Sequence, residues 1–510
     1  MIPFLLSILP ILIILVLMLG LRWSAVRASL AGYLSALLIA ILYFGSGAQL
    51  LLYAHIKALL ASLDVLLIIW AAFLFYRVTD EAGAIKQFGE ALPHLTADKG
   101  MQALVIGWAF ASFLQGVGGF GVPVAVVAPI LIGLGFSPMS AIIVPSVGSG
   151  WSVTFGSLGS SFQALLATTG LSSAELAMPS AVFLGVAALV TGLLVLHNTT
   201  GWKGMLRLAP AALLLGGVMG LTQLVVAVKG PWNTAAFLGS MAGLVASFIL
   251  ARFYRGEKSQ SGSLKSTGLA LALSGYILLI VVTLLVQMVP AIKAGLGGVV
   301  IRVAIPELST RLGYVTQATS SKPISLLNHA GAVLLYALIL AFLVYWIAGA
   351  YRQDSVNRII QGTVKRVQTT SLSIILMVCM AVVMELSGMT QALAQGLAQV
   401  AGGLFPLIAP WIGALGAFMT GSNTNSNVVF ALLQLRTAQL LAIPVAAILA
   451  GQTAGAGLAS VVAPAKIVVG TSTADLCGRE GEVMRHMLPY VVVLVALTSL
   501  LTAMGVWIIR

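Results

Sequence analysis

The sequence has little charge and almost no cysteine. Asp, Glu, Lys and Arg make up 8% of its 510 residues, whereas an average soluble domain carries about 25%. A soluble core cannot explain a chain that is 60% hydrophobic with a mean hydropathy of +1.07, so an ordinary soluble protein is excluded. The two cysteines, Cys379 and Cys477, form no metal or redox motif, and we interpret them as ordinary membrane-helix residues.

Groups that carry enzyme chemistry are also scarce. The histidines fall in loops or at the ends of apolar runs, without the spacing that metal binding or nucleophilic catalysis requires, and we interpret them as incidental. They are His55, His94, His197, His329 and His486. We therefore expect a protein that is not an enzyme and has no cofactor and no metal site. Two carboxylates, Asp64 and Glu385, fall within apolar runs and are the candidates for ion coupling or for pairing with a buried lysine. Both lie near the ends of their runs, which favours an interfacial position.

Apolar runs of roughly 20 residues recur along the chain, and each is long enough to cross about 30 Å of hydrocarbon. They predict an all-α polytopic membrane protein with about twelve transmembrane helices. The predicted spans are 2–21, 24–45, 58–76, 139–169, 180–196, 208–228, 232–251, 268–289, 330–350, 371–388, 441–470 and 488–509. The net charge of +13 fits the positive-inside rule, so we expect the lipid bilayer and no nucleic acid as a partner.

Two further apolar segments, 101–136 and 404–438, are interrupted at mid-length by glycine or polar residues and predict re-entrant hairpins. Most of the 26 Lys and Arg residues fall in loops on one side of the predicted map, which places both termini outside. The first hairpin then enters from inside and the second from outside. The opposite orientation of the two hairpins, together with the similarity of "FLQG" (113–116) to "FMTG" (418–421), predicts an inverted repeat.

The predicted organisation has three parts: a first half at 1–251, a connecting region at 252–370 and a second half at 371–510. Each half contains one hairpin and one broken helix. Four segments are expected to depart from simple spans: a broken helix at 139–169, an outer loop at 290–329, an amphipathic surface helix at 352–369 and a second broken helix at 441–470.

The candidate site lies where these interruptions meet. The hairpins turn at "QGVGGFGVP" (115–123) and "TGSNTNSN" (420–427), and Gly and Pro interrupt the helices that follow at 146–161 and 451–466. Non-helical backbone at membrane depth occurs where it is buried in protein or lines a wet cavity, and its free ends bind ions. We expect a substrate site lined by Gln115, Gly118, Gly119, Gly121, Ser152, Thr154, Ser422, Asn423, Thr424, Asn425, Gln452, Thr453 and Lys466.

Some of these motifs allow other interpretations. The sequence "GVGGFG" (116–121) fits a dinucleotide loop, but it lies in a membrane segment without a βαβ unit, so we reject a nucleotide site. An alternative interpretation of the polar run at 420–427 is that its side chains form hydrogen bonds between packed helices. Eight uncharged polar residues in succession instead favour a binding site. Lys466 either faces an anionic substrate or extends to the inner headgroups.

Two segments resemble the signature hairpins of the lactate permease family: "LQGVGGFGVPVAVVAPILIGLGFSP" (114–138) and "GAFMTGSNTNSNVVFALLQ" (416–434). The likeness continues through "SGMTQALAQGLA" (387–398) and the tail at 469–490. The resemblance implies a multi-pass carrier of the bacterial cytoplasmic (inner) membrane that imports lactate, and often glycolate, with protons. The "SNT" at 422–424 is also similar to hairpin tips of sodium-coupled dicarboxylate carriers. Those carriers work as elevators on a usually dimeric scaffold, which leaves a homodimer open.

The chain departs from the family pattern at three positions. Gln115 stands where the family usually has Glu, Asn423 where it usually has Asp, and Lys466 where Gln is expected. An amide cannot shuttle a proton in place of a carboxylate. The resemblance therefore leaves three routes open: Asp64 or Glu385 takes the coupling proton, sodium couples through carbonyls of the hairpin tip, or the substrate is more highly charged.

These observations predict a secondary active transporter that imports lactate or a similar small 2-hydroxy monocarboxylate by proton symport. One alternative is a sodium-coupled or other carrier of a more highly charged organic anion, a dicarboxylate or a sulfonate. An alternative from a different class is an anion channel, which would not accumulate its solute against a gradient.

Overall fold

The structure is a computed structural model. It describes residues 2–21, 23–119, 121–254, 266–321 and 323–509. The side chain of His94 and residues 255–265 of the predicted connecting region lie outside this description. The helices, in chain order, are α1 (Ile2–Leu19), α2 (Ala25–Leu42), α3 (Ala48–Glu81), α4 (Ala84–Ala91), α5 (Lys99–Gln102), α6 (Ala111–Val117), α7 (Val122–Gly133), α8 (Pro138–Ser149), α9 (Gly156–Thr169), α10 (Ser173–Lys229), α11 (Ala235–Leu250), α12 (Ser266–Met288), α13 (Pro290–Leu296), α14 (Ala330–Ile347), α15 (Ser355–Leu386), α16 (Met389–Ala401), α17 (Phe405–Thr420), α18 (Asn423–Leu440), α19 (Val445–Ala459), α20 (Pro464–Thr473) and α21 (Glu480–Ile509).

Within the described residues, ten helical segments are long and apolar enough to cross a membrane, or up to twelve if each bent pair counts as one span. The prediction of an all-α polytopic membrane protein is confirmed. Large apolar side chains are exposed on the outside of the bundle, with Leu42, Ile347 and Trp507 each at least 80% accessible. Such a surface suits lipid and would be an aggregation hazard in water.

Three helices differ from the predicted spans. Helix α3 begins at Ala48 rather than at residue 58 and is 34 residues long, so Asp64 lies near the middle of this helix. Helix α10 runs through a predicted inner loop and is broken only at Gly201, whose φ of 64° and ψ of −172° are not helical. The predicted amphipathic helix 352–369 is continuous with the following span in α15, because nothing in the sequence interrupts it.

The predicted outer loop 290–329 contains a long β-hairpin. Its three short antiparallel pairs are β1 (Val300–Ile301) with β6 (Ile324–Ser325), β2 (Ala304–Ile305) with β5 (Thr319–Ser320), and β3 (Leu308–Ser309) with β4 (Val315–Thr316). At its tip, the amide of Arg311 donates to the carbonyl of Gly45 at 3.4 Å, and the ring of Tyr314 lies 5.5 Å from that of Phe44. The hairpin therefore extends from the chain before α14 to the connection between α2 and α3.

The two predicted hairpin segments each form a pair of helices joined by a tight turn. The first arm, Lys99–Val117, combines α5, a π-helical stretch and α6, and is buried from Gly100 to Val117. A turn that contains Gly119 and Gly121, at φ of 58° and 90°, leads into α7, and glycine adopts these left-handed conformations at little cost. The second pair is α17 and α18, joined at Gly421. Their entry from opposite sides of the membrane and the inverted repeat remain predictions.

Both predicted broken helices are interrupted in their glycine-rich segments. Helices α8 and α9 meet at an angle of 49°, and Ser157 and Leu158 adopt positive φ values of 48° and 52° at the break. In the second half, α19 ends in a 3₁₀ turn, and α20 begins at Pro464 after the extended residue Ala463.

Aromatic side chains fix the first hairpin arm against its neighbours. The ring of Phe113 on α6 lies 5.6 Å from Phe237 on α11 and 5.1 Å from Tyr276 on α12, distances at which aromatic pairs attract. A Cβ at Gly116 would lie 2.8 Å from the Cα of Phe237. Glycine at this position thus allows α6 to pack directly on the backbone of α11.

Candidate functional site

The turns of both hairpins contact the same short helix, α20. A Cβ at Gly421 would lie 3.7 Å from the Cβ of Ala465, and a Cβ at Gly121 would lie 3.7 Å from Cγ1 of Val469. Since α20 directly follows the break after α19, the fold brings three of the four predicted interruptions to one place. The break between α8 and α9 joins them through its contacts with both turns.

The second turn is held by its own sequence. Gly421 adopts a φ of 69°, where a non-glycine residue pays about 1–2 kcal/mol. Ser422 is the N-cap of α18, and its Oγ accepts a hydrogen bond from the backbone N of Asn425 at 3.2 Å. The hydroxyl of Ser422 therefore satisfies one of the open amides of its own helix.

The next residues of the polar run bind the first broken helix. Nδ2 of Asn423 donates to Oγ1 of Thr154 at 3.0 Å, and Oγ1 of Thr154 donates to the carbonyl of Thr453 on α19 at 3.0 Å. The hydroxyls of Thr424 and Ser161 are 3.0 Å apart. All five residues are at most 5% exposed. Four of the predicted site residues thus form one buried network of neutral groups.

Three buried amide oxygens of the polar run accept no hydrogen bond from the residues that the structure describes. They belong to Asn423, Asn425 and Asn427. The amide of Asn427 is oriented by Nδ2, which donates to the carbonyl of Ser161 at 3.0 Å and to Oγ1 of Thr453 at 2.9 Å. A buried acceptor without a donor costs about 1–3 kcal/mol, so these oxygens are a feature that the fold alone does not explain.

Two predicted residues lie apart from this network. Nδ2 of Asn425 points to Oγ of Ser373 on α15, at 3.4 Å. Nε2 of Gln452 donates to Oγ of Ser426 at 3.1 Å, and Oε1 of Gln452 accepts from Gln434. The Gln452 contacts connect α18 to α19 through side-chain hydrogen bonds, as is common between packed membrane helices.

The first turn packs closely against the break before α9. A Cβ at Gly119 would lie 1.9 Å from Oγ of Ser157 and 3.1 Å from Nε2 of Gln115, so the structure has no room for a side chain there. Gly118 lies against the ring of Tyr76, with 2.9 Å from a Cβ to Cδ2. Gly119 therefore allows the contact between the turn and the helix break, and Gly118 allows the turn to pack against Tyr76 on α3.

Lys466 lies beside the first turn and not at the second. It lines a narrow cavity together with Gln115, Gly121, Pro123, Val124, Ser146, Ser149 and Val461. Its Nζ donates to Oγ of Ser460 at 2.9 Å. Within the described part of the chain, Lys466 has no carboxylate partner. Ser152, also predicted for the site, donates to the carbonyl of Ser149 at 2.8 Å, behind the wall of this cavity.

The two ion-coupling candidates have different surroundings. Glu385 on α15 pairs with Lys57 on α3, with Nζ and Oε2 2.7 Å apart, and both side chains are partly exposed. Asp64 on α3 is 3% exposed. One of its carboxylate oxygens lies 2.9 Å from Nε2 of His329, and the other accepts a hydrogen bond from Nε2 of Gln163 at 2.5 Å.

Asp64 also borders a large cavity of about 490 Å³. This vestibule is lined by Asp64, Gln163, Ser173, Lys229, Gly230, Pro231, Trp232, Asn233, Lys293, Pro323, Ser325, Asn328, His329 and Ala330. Lys229 and Lys293 belong to segments that the charge distribution predicts to be outside. The vestibule is therefore an entrance with two lysines in its lining, large enough for many water molecules, that ends at a buried carboxylate.

Four residues that carry these contacts were missed by the sequence analysis. They are Ser161, Gln163, His329 and Asn427. The helical period would have identified Asn427, which lies one turn after Asn423 on the same face of α18. His329 was interpreted as incidental, and its partner is 265 positions away in the chain, so local sequence gives no signal for this contact.

A comparison with known proteins identifies the family. A family model described as L-lactate permease matches residues 3–509 of the chain. The chain belongs to the L-lactate permease family. The resemblance seen in the two hairpin sequences is confirmed by this match over nearly the whole length.

Several bacterial relatives are similar over most of the chain. The L-lactate permease of Escherichia coli (strain K12) is 25% identical, over 87% of this chain and 84% of that protein. The L-lactate permease of Bacillus subtilis (strain 168) is 25% identical over 94% and 92%. The glycolate permease of Escherichia coli (strain K12) is 26% identical over 86% and 84%. These relatives are permeases, which are transporters and not enzymes. With its apolar helices, the chain is a multi-pass protein of the bacterial cytoplasmic (inner) membrane.

Proposed function

We propose that this protein is a secondary active transporter that imports lactate or a similar small 2-hydroxy monocarboxylate together with a proton. The observation that supports this most is the match to the L-lactate permease family over residues 3–509. Lys466, a partly exposed cation on a cavity beside the first hairpin turn with Ser460 as its hydrogen-bond partner, supplies a positive charge for an anion. An uncompensated charge in the interior is costly, and an anionic substrate would compensate it. The names of the relatives supply the substrate class, lactate and glycolate.

The side chains that line the cavity suit a monoanion with a hydroxyl group, and the cavity, of about 10 Å³, must widen to admit one. The ammonium of Lys466 would form a charge-assisted hydrogen bond with the carboxylate of the substrate. The neutral groups of Gln115, Ser146 and Ser149 line the same cavity and offer hydrogen bonds to a 2-hydroxyl without the cost of a second buried charge. Symport of one monoanion with one proton moves no net charge, so the membrane potential would not oppose uptake.

We infer that transport is of the elevator type, in which the hairpins and broken helices move together. The hydrogen bonds that Asn423 and Asn427 of the second hairpin donate to Thr154, Ser161 and Thr453 support this, because they join α9 and the break before it to α18 and α19 in one buried unit. A chemical crosslink between α9 and α18 should then leave uptake intact, whereas a crosslink between α3 and α9 should stop it. Equal loss from both crosslinks would contradict a moving unit.

The unpartnered oxygens of Asn423 and Asn427 favour a second candidate, a sodium-coupled carrier of a more highly charged anion. The side-chain nitrogens of both residues donate hydrogen bonds to Thr154, Ser161 and Thr453. The amide oxygens must therefore point away from these acceptors. Neutral oxygens are suitable ligands for a hard cation. Each extra sodium ion would also make uptake sensitive to the membrane potential, at about 2.3 kcal/mol per charge per 100 mV.

Uptake of labelled lactate into proteoliposomes tests the proposal. A proton gradient alone should drive accumulation, and a sodium gradient alone should not. Accumulation with sodium alone would replace the first candidate by the second. Uptake that equilibrates but never accumulates would instead indicate an anion channel.

The charge of the substrate is tested by Lys466→Gln. This variant should weaken lactate transport about 10- to 100-fold, the effect of losing a charged hydrogen bond. The exposed Lys86, whose Nζ lies 3.8 Å from Glu90, provides the matched control Lys86→Gln. A dicarboxylate or sulfonate that wild type transports better than lactate, and that Lys466→Gln loses more severely, would favour the more highly charged substrate.

A further inference from the structure

The surroundings of Asp64 determine where an added proton can go. His329 is the N-cap of α14, and its Nδ1 accepts a hydrogen bond from the backbone N of Gly331 at 3.2 Å. In a neutral imidazole the other nitrogen then carries the hydrogen, so Nε2 donates to Asp64. A protonated ring would place a second hydrogen against the amide of Gly331. The carboxylate, and not the imidazole, is therefore the group with capacity for a proton.

The vestibule connects this carboxylate to water. Asp64 lies at the middle of a helix that is long enough to cross the membrane, and it borders the cavity of about 490 Å³. Buried carboxylates inside membrane spans are costly and are usually retained for function. A proton from the vestibule can thus reach an oxygen of Asp64 without crossing apolar packing.

Helix α9 connects Asp64 to the second hairpin. Gln163 donates to Asp64 at 2.5 Å, and Ser161, two residues earlier on the same helix, contacts both Thr424 and Asn427 at 3.0 Å. A carboxylate that takes up a proton changes from an acceptor to a donor at one oxygen. If the proton binds the oxygen that Gln163 contacts, the amide of Gln163 rotates to present its own oxygen, or its contact with Asp64 weakens.

Among the residues that the structure describes, the other charged groups near Asp64 are paired or line the vestibule. Lys57, on the same helix and lining a small cavity with Asp64, pairs with Glu385 on α15 at 2.7 Å. Lys229 at the end of α10 and Lys293 on α13 line the vestibule. On α14 the facing group is His329, and on α9 it is the neutral Gln163. Glu385 is more exposed than Asp64 and is not among the residues that line the vestibule, so the vestibule leads to Asp64 and not to Glu385.

We propose that Asp64, held by His329 and Gln163, binds the coupling proton from the vestibule and transmits its protonation state to the second hairpin through α9. The proton comes from water in the vestibule and forms an O–H bond on Asp64, which becomes neutral; deprotonation on the other side of the membrane restores the carboxylate. This assignment rests on the proposed proton symport. It also explains how amides at positions 115 and 423 are compatible with proton coupling, because neither would carry the proton.

The first test is independent of substrate. In the purified full-length protein, infrared difference spectra recorded on lowering the pH should show the carbonyl stretch of a protonated carboxylic acid. Asp64→Asn should remove this band, Glu385→Gln should keep it, and His329→Gln should shift the pH of its midpoint. A band that persists in Asp64→Asn and disappears in Glu385→Gln would overturn the assignment, whether or not lactate is the substrate.

The second test measures coupling in proteoliposomes. The readout is the ratio of accumulation driven by a proton gradient to lactate counterflow at equal pH. Asp64→Asn should lower this ratio about tenfold or more. Glu385→Gln should lower accumulation and counterflow to the same extent and leave the ratio unchanged. Accumulation by Asp64→Asn at the wild-type ratio would overturn the proposal. Absence of lactate counterflow in wild type, with the infrared band still lost in Asp64→Asn, would contradict lactate as the substrate and leave the proton site standing.

Discussion

The two hairpin turns meet at the same helix but are built in different ways. The first turn, around Gly119 and Gly121, borders the cavity of Lys466 through backbone and glycine. The second turn begins with Ser422, and the side chains after it are used in hydrogen bonds to α9 and α19. The comparison shows that the polar run of the second turn joins helices through side-chain hydrogen bonds. The glycine-rich first turn instead leaves a cavity beside Lys466.

The largest expected effect comes from filling the first turn. Gly119→Ala should destabilise the protein by about 2–4 kcal/mol, because it adds left-handed strain and a contact with Ser157 that has no room. Gly421→Ala is the matched control, since Gly421 has a similar positive φ but its nearest neighbour would be 3.7 Å from the new Cβ. It should cost about 1–2 kcal/mol. Thermal unfolding in detergent measures both, and equal losses would contradict the difference in packing between the turns.

A smaller effect is expected from the network of the second turn. Asn427→Ala removes two hydrogen bonds to buried acceptors but also removes an unpartnered oxygen, so we expect a loss of about 1–2 kcal/mol. Asn425→Ala removes one long contact of 3.4 Å and should cost less than about 1 kcal/mol. The ratio of the two shifts in unfolding temperature is the readout. If Asn425→Ala were the more damaging, the second turn would not be held by α9 and α19.

A further small effect is expected at the cap of the second turn. Ser422→Ala should destabilise α18 by about 1 kcal/mol, because the amide of Asn425 loses its acceptor. Ser422→Thr retains an acceptor oxygen and should restore most of the stability. A lactate affinity that falls in Ser422→Ala and also in Ser422→Thr, without a change in unfolding temperature, would show that Ser422 contacts the substrate and is not a cap.

The sequence predicts the architecture well because membrane helices follow from composition. Apolar runs determine the helices, and clusters of Gly and Pro determine the breaks at Ser157 and Pro464. The start of α3 was wrong by ten residues, since Ala48–Lys57 is less apolar than the span that follows but remains helical through contacts in the fold. Helix boundaries of this kind depend on tertiary packing, which a hydropathy pattern does not contain.

The site was less predictable from sequence. The residue types at Thr154, Asn423 and Thr453 indicated polar groups in a membrane segment, and the structure joins them in one network. Lys466 lies apart from this network, beside Gln115 and the first turn. This separation in space depends on contacts between distant parts of the chain. The Asp64–His329 contact depends on the same kind of long-range packing, so a local motif could not reveal it.

Binding of lactate to purified wild-type protein and to Lys466→Gln, measured by isothermal titration calorimetry, tests most directly that the cavity of the first turn binds the anion. The account predicts an affinity at least about tenfold weaker in Lys466→Gln, with Lys86→Gln equal to wild type. Equal affinity in all three proteins, with all three folded, would contradict the role of Lys466 and move the search for the anion site to the second turn.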